Sequence, residues 1–503
     1  MRKHNNQTPL GFGHENHRLV TRRDFLGQGM VSGLGMVTAP SLLGLLGGSK
    51  AMAQAAPDCG ISVGGAGKIP FLCIDLAGGA NIAGSNVLVG GPGGQLDYLS
   101  PEGYSKLGLP ADMTPDKPGQ VNAEMGLLFH SDSAFLRGIQ SKTSAATRGN
   151  MNGSVICARS NNDTGNNPHN PIFGINKAGA NGDLLPIIGT ENSDTGGKST
   201  FPMSMENPTV TPTKVDRPSD VTGLVDLGGL VAGLEANEAA AVMEAVESIS
   251  ALKIDKMTEE KIVKDLISCS YSQSSDLVAR YGNPSALNPM LDPLIVGQNN
   301  SIFSDNEIGQ DKFRKTASVM KLIVNGFAGA GTIEFGGYDY HNSTRSRGEI
   351  RDFEAGQAMG AVFEYAARLN QQLMVYVFSD GSVSSNGELD NSDDGRGKGI
   401  WKSDSSSTSA SLMLVYDPNG QPQLTSPGAH QLGYYRPSGD IETTAAPFSN
   451  NVDLLAYTAV LNYMALHNDV GGFEREFTSQ GLGLGLGSGA ALDASIAFQP
   501  IRA

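Results

Sequence analysis

The segment Gly336-Gly337-Tyr338-Asp339-Tyr340-His341 has the residue types and spacing best suited to chemistry. Paired glycines let the backbone turn closely at a strand end, and residues two apart on extended backbone face the same way. Asp339 and His341 can therefore address one ion, and a carboxylate oxygen beside an imidazole nitrogen suits zinc or manganese. The same pair also reads as a helix-capping aspartate and an ordinary hydrogen-bonded histidine, and the spacing alone leaves both readings open.

A second polar cluster runs through Ser379-Asp380-Gly381-Ser382, Asn386-Gly387 and Asp390-Asn391-Ser392-Asp393-Asp394-Gly395. Asp390, Ser392, Asp394 and Gly395 match the first half of a calcium loop, but Trp401 occupies the closing position that needs a glutamate. A carboxylate-rich turn held by Asx bonds is the simpler reading, with Arg396 and Lys398 placed to neutralise it. Ser318-Val319-Met320-Lys321 has the S-x-x-K spacing of penicillin-recognising enzymes without the companion S-D-N and K-T-G motifs. Gly60 to Lys68 fails the phosphate-loop pattern, with Ser62 and Ile69 at critical places.

These side chains need strands and helices to hold them. Ile69 to Leu76 is an almost wholly apolar run ending in Ala77-Gly78-Gly79, as a buried parallel strand does, and Cys73 within it reads as core. A short helix is expected at Pro101 to Leu107. Ser160 to Thr213 is dominated by polar loop residues, expected to wrap the surface or line a site. Two helices are expected between Ala236 and Tyr281. With an amphipathic stretch from Phe313 to Phe327 they would form a helical insertion over about 215–330. A strand at 332–337, a helix from about Arg347 to Asn370 and a buried strand at 372–378 predict a parallel pair joined by a right-handed crossover. Ser411 to Tyr416 reads as a strand and Val452 to His467 as a helix. The Gly-Leu repeat within the tail, about 479–503, reads as a flexible or surface-lying strap.

Thr21-Arg22-Arg23-Asp24-Phe25-Leu26 precedes a weakly apolar, glycine-rich run and the small residues Ala51 to Ala55. Arg22, Arg23, Phe25 and Leu26 mark a twin-arginine export signal over residues 1–55, with cleavage after Ala53 or Ala55. This predicts passage through the twin-arginine translocation machinery to the periplasm or beyond, with no stable membrane span after cleavage. The full chain carries a formal charge of −15; without residues 1–55 the balance is 30 basic against 49 acidic residues, or −19. Such acidity opposes nucleic-acid binding, which needs clustered Lys and Arg. Cysteines at 59, 73, 157 and 269 form no C-x-x-C pair, so a thiolate metal site is not expected, and an oxidising compartment leaves one or two disulfides open.

The order of twin-arginine signal, strand with Gly-Gly, GGYDYH, long helix, buried strand and SDG…NG…DDG resembles an uncharacterised family of twin-arginine-exported bacterial proteins. That family is itself similar to the alkaline phosphatase and sulfatase superfamily, and the resemblance covers most of residues 69–467. It implies one α/β domain over 56–503, a three-layer sandwich with a mostly parallel central sheet, and a metal-dependent phosphate or sulfate ester hydrolase. Asp339 and His341 carry over as metal ligands, with Asp75, Asp380 and Asp393 completing a site for one divalent metal ion. Several family motifs are replaced. Asn81 stands where the family has an aspartate, which Asp75 could replace. Thr147 to Asn152 stands in place of a Ser-His-Phe motif, and Asp393-Asp394-Gly395 in place of Asp-His-Gly. Only His130, His169, His341, His430 and His467 lie beyond the signal, too few for a two-zinc site. Thr147 and Ser144 are the nucleophile candidates, without a neighbouring base. A non-catalytic exported binding or structural protein on the same fold is the other expectation.

Overall fold

The computed structural model describes residues 67–161, 167–224, 287–297, 300–478 and 484–502. The chain divides into two units, and the account below concerns the one formed by Ser62–Thr222 and Ser285–Ala503. The twin-arginine stretch and its cleavage region, Cys59, Cys269, the two helices expected within 236–281 and tail residues 479–483 lie outside the described residues.

Twelve strands are described: β1 Phe71–Gly78, β2 Val121–Met125, β3 Leu127–His130, β4 Met151–Ile156, β5 Leu185–Gly189, β6 Thr213–Lys214, β7 Ala328–Tyr338, β8 Leu373–Ser379, β9 Val383–Asp390, β10 Lys398–Asp404, β11 Ser411–Tyr416 and β12 Gln431–Leu432. The helices that matter here are α1 Ala134–Lys142, α2 Ala145–Gly149, α3 Ile172–Lys177, α4 Asp311–Val324, α5 Ser346–Arg368 and α6 Val452–Leu466. Eight strands form the central sheet in the order β12-β4-β11-β8-β1-β7-β5-β6. Every neighbouring pair is parallel except the two made by β11, which runs against β8 and β4. The fold is therefore α/β with a mostly parallel sheet.

β1 occupies the middle of the sheet, and Phe71 to Leu76 are buried throughout, which is why its sequence is a continuous apolar run rather than an alternation. On one face Phe71, Cys73, Met374, Tyr376 and Phe378 pack with α3 and α6, the Tyr463 ring meeting Phe71 edge-on at 5.5 Å. α6 is apolar on nearly every side because the C-terminal segment covers its outer flank. Leu486, Leu492, Ala497 and Phe498 lie in the same core, and the Asn462 side chain joins Ser495 O to Ala497 N. Of the described tail, residues 488–491 lie exposed on the surface, while Leu486, Leu492 and residues 495–498 are packed into the core. On the other face α4 and α5 pack against β7, and α1 crosses α5. That crossing is close: a Cβ added at Gly356 would lie 2.3 Å from Phe135 O.

Two expectations change. The 160–213 stretch supplies α3, β5 and β6, two of them strands of the main sheet, because Leu185–Gly189 is a short apolar run within polar neighbours. Of the 313–327 stretch, Phe313 to Val324 belong to α4, a layer of the sheet domain rather than an insertion apart from it. Cys73 and Cys157 are both buried and free.

Candidate metal centre

The carboxyl ends of β1, β7 and β8 meet beside the end of β10, the position where open α/β sheets present ligand sites. Gly78 pairs with Tyr338, and Gly79 N donates to Tyr338 O at 3.2 Å. Gly78 has φ +132°, and a Cβ there would come within 2.3 Å of Asp339 N, so only glycine lets β1 pass this close. Beyond β7, Tyr340 turns inward and is fully buried. Its hydroxyl accepts the Asn81 N–H at 2.7 Å and donates to Asp352 Oδ1 at 3.0 Å. Asn86 Nδ2 donates to Asp352 Oδ2 at 2.8 Å, and burial pushes the Asp352 carboxyl up to about 7.

With Tyr340 pinned inward, Asp339 and His341 face outward together. Their third partner comes from elsewhere in the chain. His341 Nε2 lies 2.6 Å from Asp339 Oδ1 and 3.2 Å from Asp404 Oδ1. The three residues form the one group of metal-ligating side chains among the described residues whose ligand atoms all lie within 4.8 Å of one another. Bonds of ~2.0–2.2 Å to a common ion put neighbouring ligand atoms about 3 Å apart, which these separations approximate. One nitrogen and two carboxylate oxygens suit zinc or manganese, and the site is open, with 34% of the His341 side chain and 70% of the Asp339 side chain exposed. Asp339 does not cap α5, whose N-cap is Arg345.

Asp404 is held by the β9–β10 hairpin. It pairs with Val383, and Ser405 N donates to Ser382 O at 2.9 Å. The 339–344 turn is stitched to the same hairpin by Ser343 N to Trp401 O at 2.9 Å and Trp401 N to Thr344 O at 3.3 Å. Trp401 is buried under the Arg345 guanidinium, whose carbon lies 4.5 Å from the ring centroid. Arg345 and Lys398, both buried, converge on Glu349 Oε1 at 2.6 and 2.9 Å. Burial alone would raise Glu349, but these cations hold it below the usual carboxylate range.

The other three carboxylates expected as ligands do not join this group. Asp75 is wholly buried in β1 and accepts Lys198 N at 2.7 Å, Ser199 N at 2.9 Å and Ser199 Oγ at 3.2 Å, fixing the loop after β5. Burial raises it to about 6 in spite of those donors. Asp380 is buried and accepts from Asn167 Nδ2 at 2.7 Å and Asn167 N at 3.3 Å. Asp393 is exposed and lines a different groove, near Arg396 and Ile350.

The remaining histidines among the described residues serve the fold. His130 bridges Met113 O and Asp132 N, and His467 bridges Ile69 N and Tyr463 O. His169 stacks on Phe378, and His430 contacts Asn152 Oδ1. Burial lowers all four, His130 and His467 to about 4 and His169 to about 3. Neither nucleophile candidate is near the metal group. Thr147 Oγ1 donates to Glu364 at 2.7 Å, and Ser144 Oγ caps α2 through Thr147 N. In the S-x-x-K stretch, Ser318 Oγ donates to Arg314 O while Lys321 pairs with Asp292, so the two do not act on each other.

No family model matches this chain, and neither a curated protein nor a solved structure is found to be similar to it.

Proposed function

We propose that this protein is exported by the twin-arginine route and holds one divalent cation on an alkaline phosphatase-like α/β fold. Asp339, His341 and Asp404 are the protein ligands, and the activity is hydrolysis of phosphate or sulfate esters. The observation that carries the reading is the convergence of His341 with two carboxylates at the carboxyl ends of the sheet strands. A cation bound there would polarise an ester oxygen and activate water. The chain's own part is to fix three ligand atoms on rigid backbone and leave the remaining positions open to solvent and substrate. With Thr147 and Ser144 engaged in the α2 cap, water rather than a protein hydroxyl is the nucleophile.

A second reading is a non-catalytic exported binding protein on the same fold. The inward commitment of Asp75 and Asp380 favours it, since a two-metal hydrolase would use such groups as ligands. Metal analysis of protein isolated from the exported fraction, with an aryl phosphate and sulfate ester screen on wild type and Asp339→Ala, separates the two. Metal lost on substitution together with loss of ester hydrolysis supports the first reading. Metal without turnover leaves the second, and no metal in either protein sinks the cation site. Replacing Arg22 and Arg23 by Lys should retain the protein in the cytoplasmic fraction.

A further inference from the structure

A second cavity, of about 180 Å³, opens beside Gly336 and Tyr338, where α4 meets the start of α5. Its charged lining comes from both helices. Lys312 and Lys315 project from the same face of α4, one turn apart, and Arg351 reaches in from α5. Lys315 sits over the Phe335 ring, 5.1 Å from its centroid.

Positive charge exceeds negative charge here. Glu354 is shared by Lys312 at 2.6 Å and Arg351 Nη1 at 3.0 Å. Glu334, buried in β7 between β1 and β5, is shared by Lys315 at 3.2 Å and Lys198 at 3.4 Å. Of the cavity's own lining, three cations (Lys312, Lys315 and Arg351) face two carboxylates (Asp311 and Glu354), and Asp311 is engaged by Arg314. A local excess of positive charge is unusual in a chain of formal charge −15.

Arg351 also presents a usable edge. Its Nε and Nη2 lie against Gly337, where an added Cβ would meet them at 3.3 and 3.4 Å. Among the described residues that edge has no acceptor, the guanidinium being bonded only through Nη1 to Glu354. A guanidinium fork with two lysines nearby matches the geometry of a tetrahedral oxyanion. Gly337, against which the fork lies, is two residues from Asp339 in the chain.

We propose that this cavity seats the phosphoryl or sulfuryl group of a small anionic ester, with Arg351, Lys312 and Lys315 as the anion-binding residues. As the seat of a substrate's charged end it rests on the cation-site reading above, but it uses different residues and is tested without metal. Sodium phosphate and sodium sulfate are titrated calorimetrically, in separate arms, into the chelator-treated full chain at low ionic strength. Saturable binding of either anion is expected, weakened on the order of tenfold by Arg351→Gln and by Lys312→Gln, since each removes a charge-assisted donor. Glu354→Gln removes the competing carboxylate and should tighten binding by a similar factor. Absence of saturable binding, or affinities unchanged by all three substitutions, overturns the proposal. Failure of metal binding in an anion-free titration would count against the cation site alone.

Discussion

His341 Nε2 and Asp404 Oδ1 stand 3.2 Å apart, although helix α5 and strands β8, β9 and most of β10 separate them in sequence. The contact exists because Trp401 is tied to both Ser343 and Thr344, which aligns the far end of the hairpin with the loop after β7. Asp404→Asn should therefore weaken zinc or manganese binding nearly as much as His341→Ala. The loss should reach at least the ~10–100-fold that even outer partners of a metal site cost. Asp393→Asn should leave binding unchanged, because that carboxylate lines another groove. Calorimetric titration of the three variants checks this; equal affinity in Asp404→Asn and wild type would remove Asp404 from the site.

Tyr340 sets the direction of its two neighbours. Its hydroxyl bridges Asn81 N and Asp352 Oδ1 in a buried setting, so Tyr340→Phe strands a buried N–H and removes one donor from a buried carboxylate. A loss of about 1–3 kcal/mol in unfolding free energy is expected. Metal affinity should fall with it, since Asp339 and His341 face one ion only while the residue between them stays inward. Denaturant unfolding and zinc titration of the same variant separate the effects; reduced stability with unaltered affinity would make Tyr340 a structural residue only.

Much of the scaffold was legible because its elements are apolar and long. β1, β8, β11, α5 and α6 fall within a few residues of where their patterns place them. The direction of β11 was not legible, since a strand buried on both faces has the same composition whichever way it runs. β5 was hidden by its brevity and polar flanks. In the metal group, Asp339 and His341 announce themselves by spacing, whereas Asp404 lies in the unremarkable run Lys402-Ser403-Asp404-Ser405. Only the register of Asp404 on Val383 brings it to the site. Asp75 and Asp380 show the converse: a carboxylate within a strand or just past its end looks like a ligand until its donors are known.

Gly356 tests the α1–α5 crossing behind the site. In an exposed helix, glycine to alanine stabilises by about 1 kcal/mol through propensity. Here the added methyl would fall 2.3 Å from Phe135 O and 3.0 Å from Gly138 Cα, so the helices must separate. Gly356→Ala should instead destabilise, by the ~1–3 kcal/mol of an overpacked core or more. A raised denaturation midpoint would show that the crossing is looser than these distances require.

Asp75 offers a prediction whose sign depends on pH. Burial raises its carboxyl to about 6, above the ~3.9 of an unfolded aspartate, so the native state holds the extra proton between those values. Its contribution to stability is complete below about pH 4 and is lost as pH rises through about 6. Asp75→Asn keeps the oxygen that accepts Lys198 N and Ser199 N and places an amide donor toward Ser199 Oγ. The variant should therefore lack this slope and, above pH 6, exceed wild type by up to about 3 kcal/mol. Urea unfolding at intervals from pH 4 to pH 8 measures the difference. A variant less stable than wild type at pH 8 would mean that the negative charge is needed where it lies, and unchanged metal affinity in the same protein would confirm that Asp75 works for the loop after β5 and not for the ion.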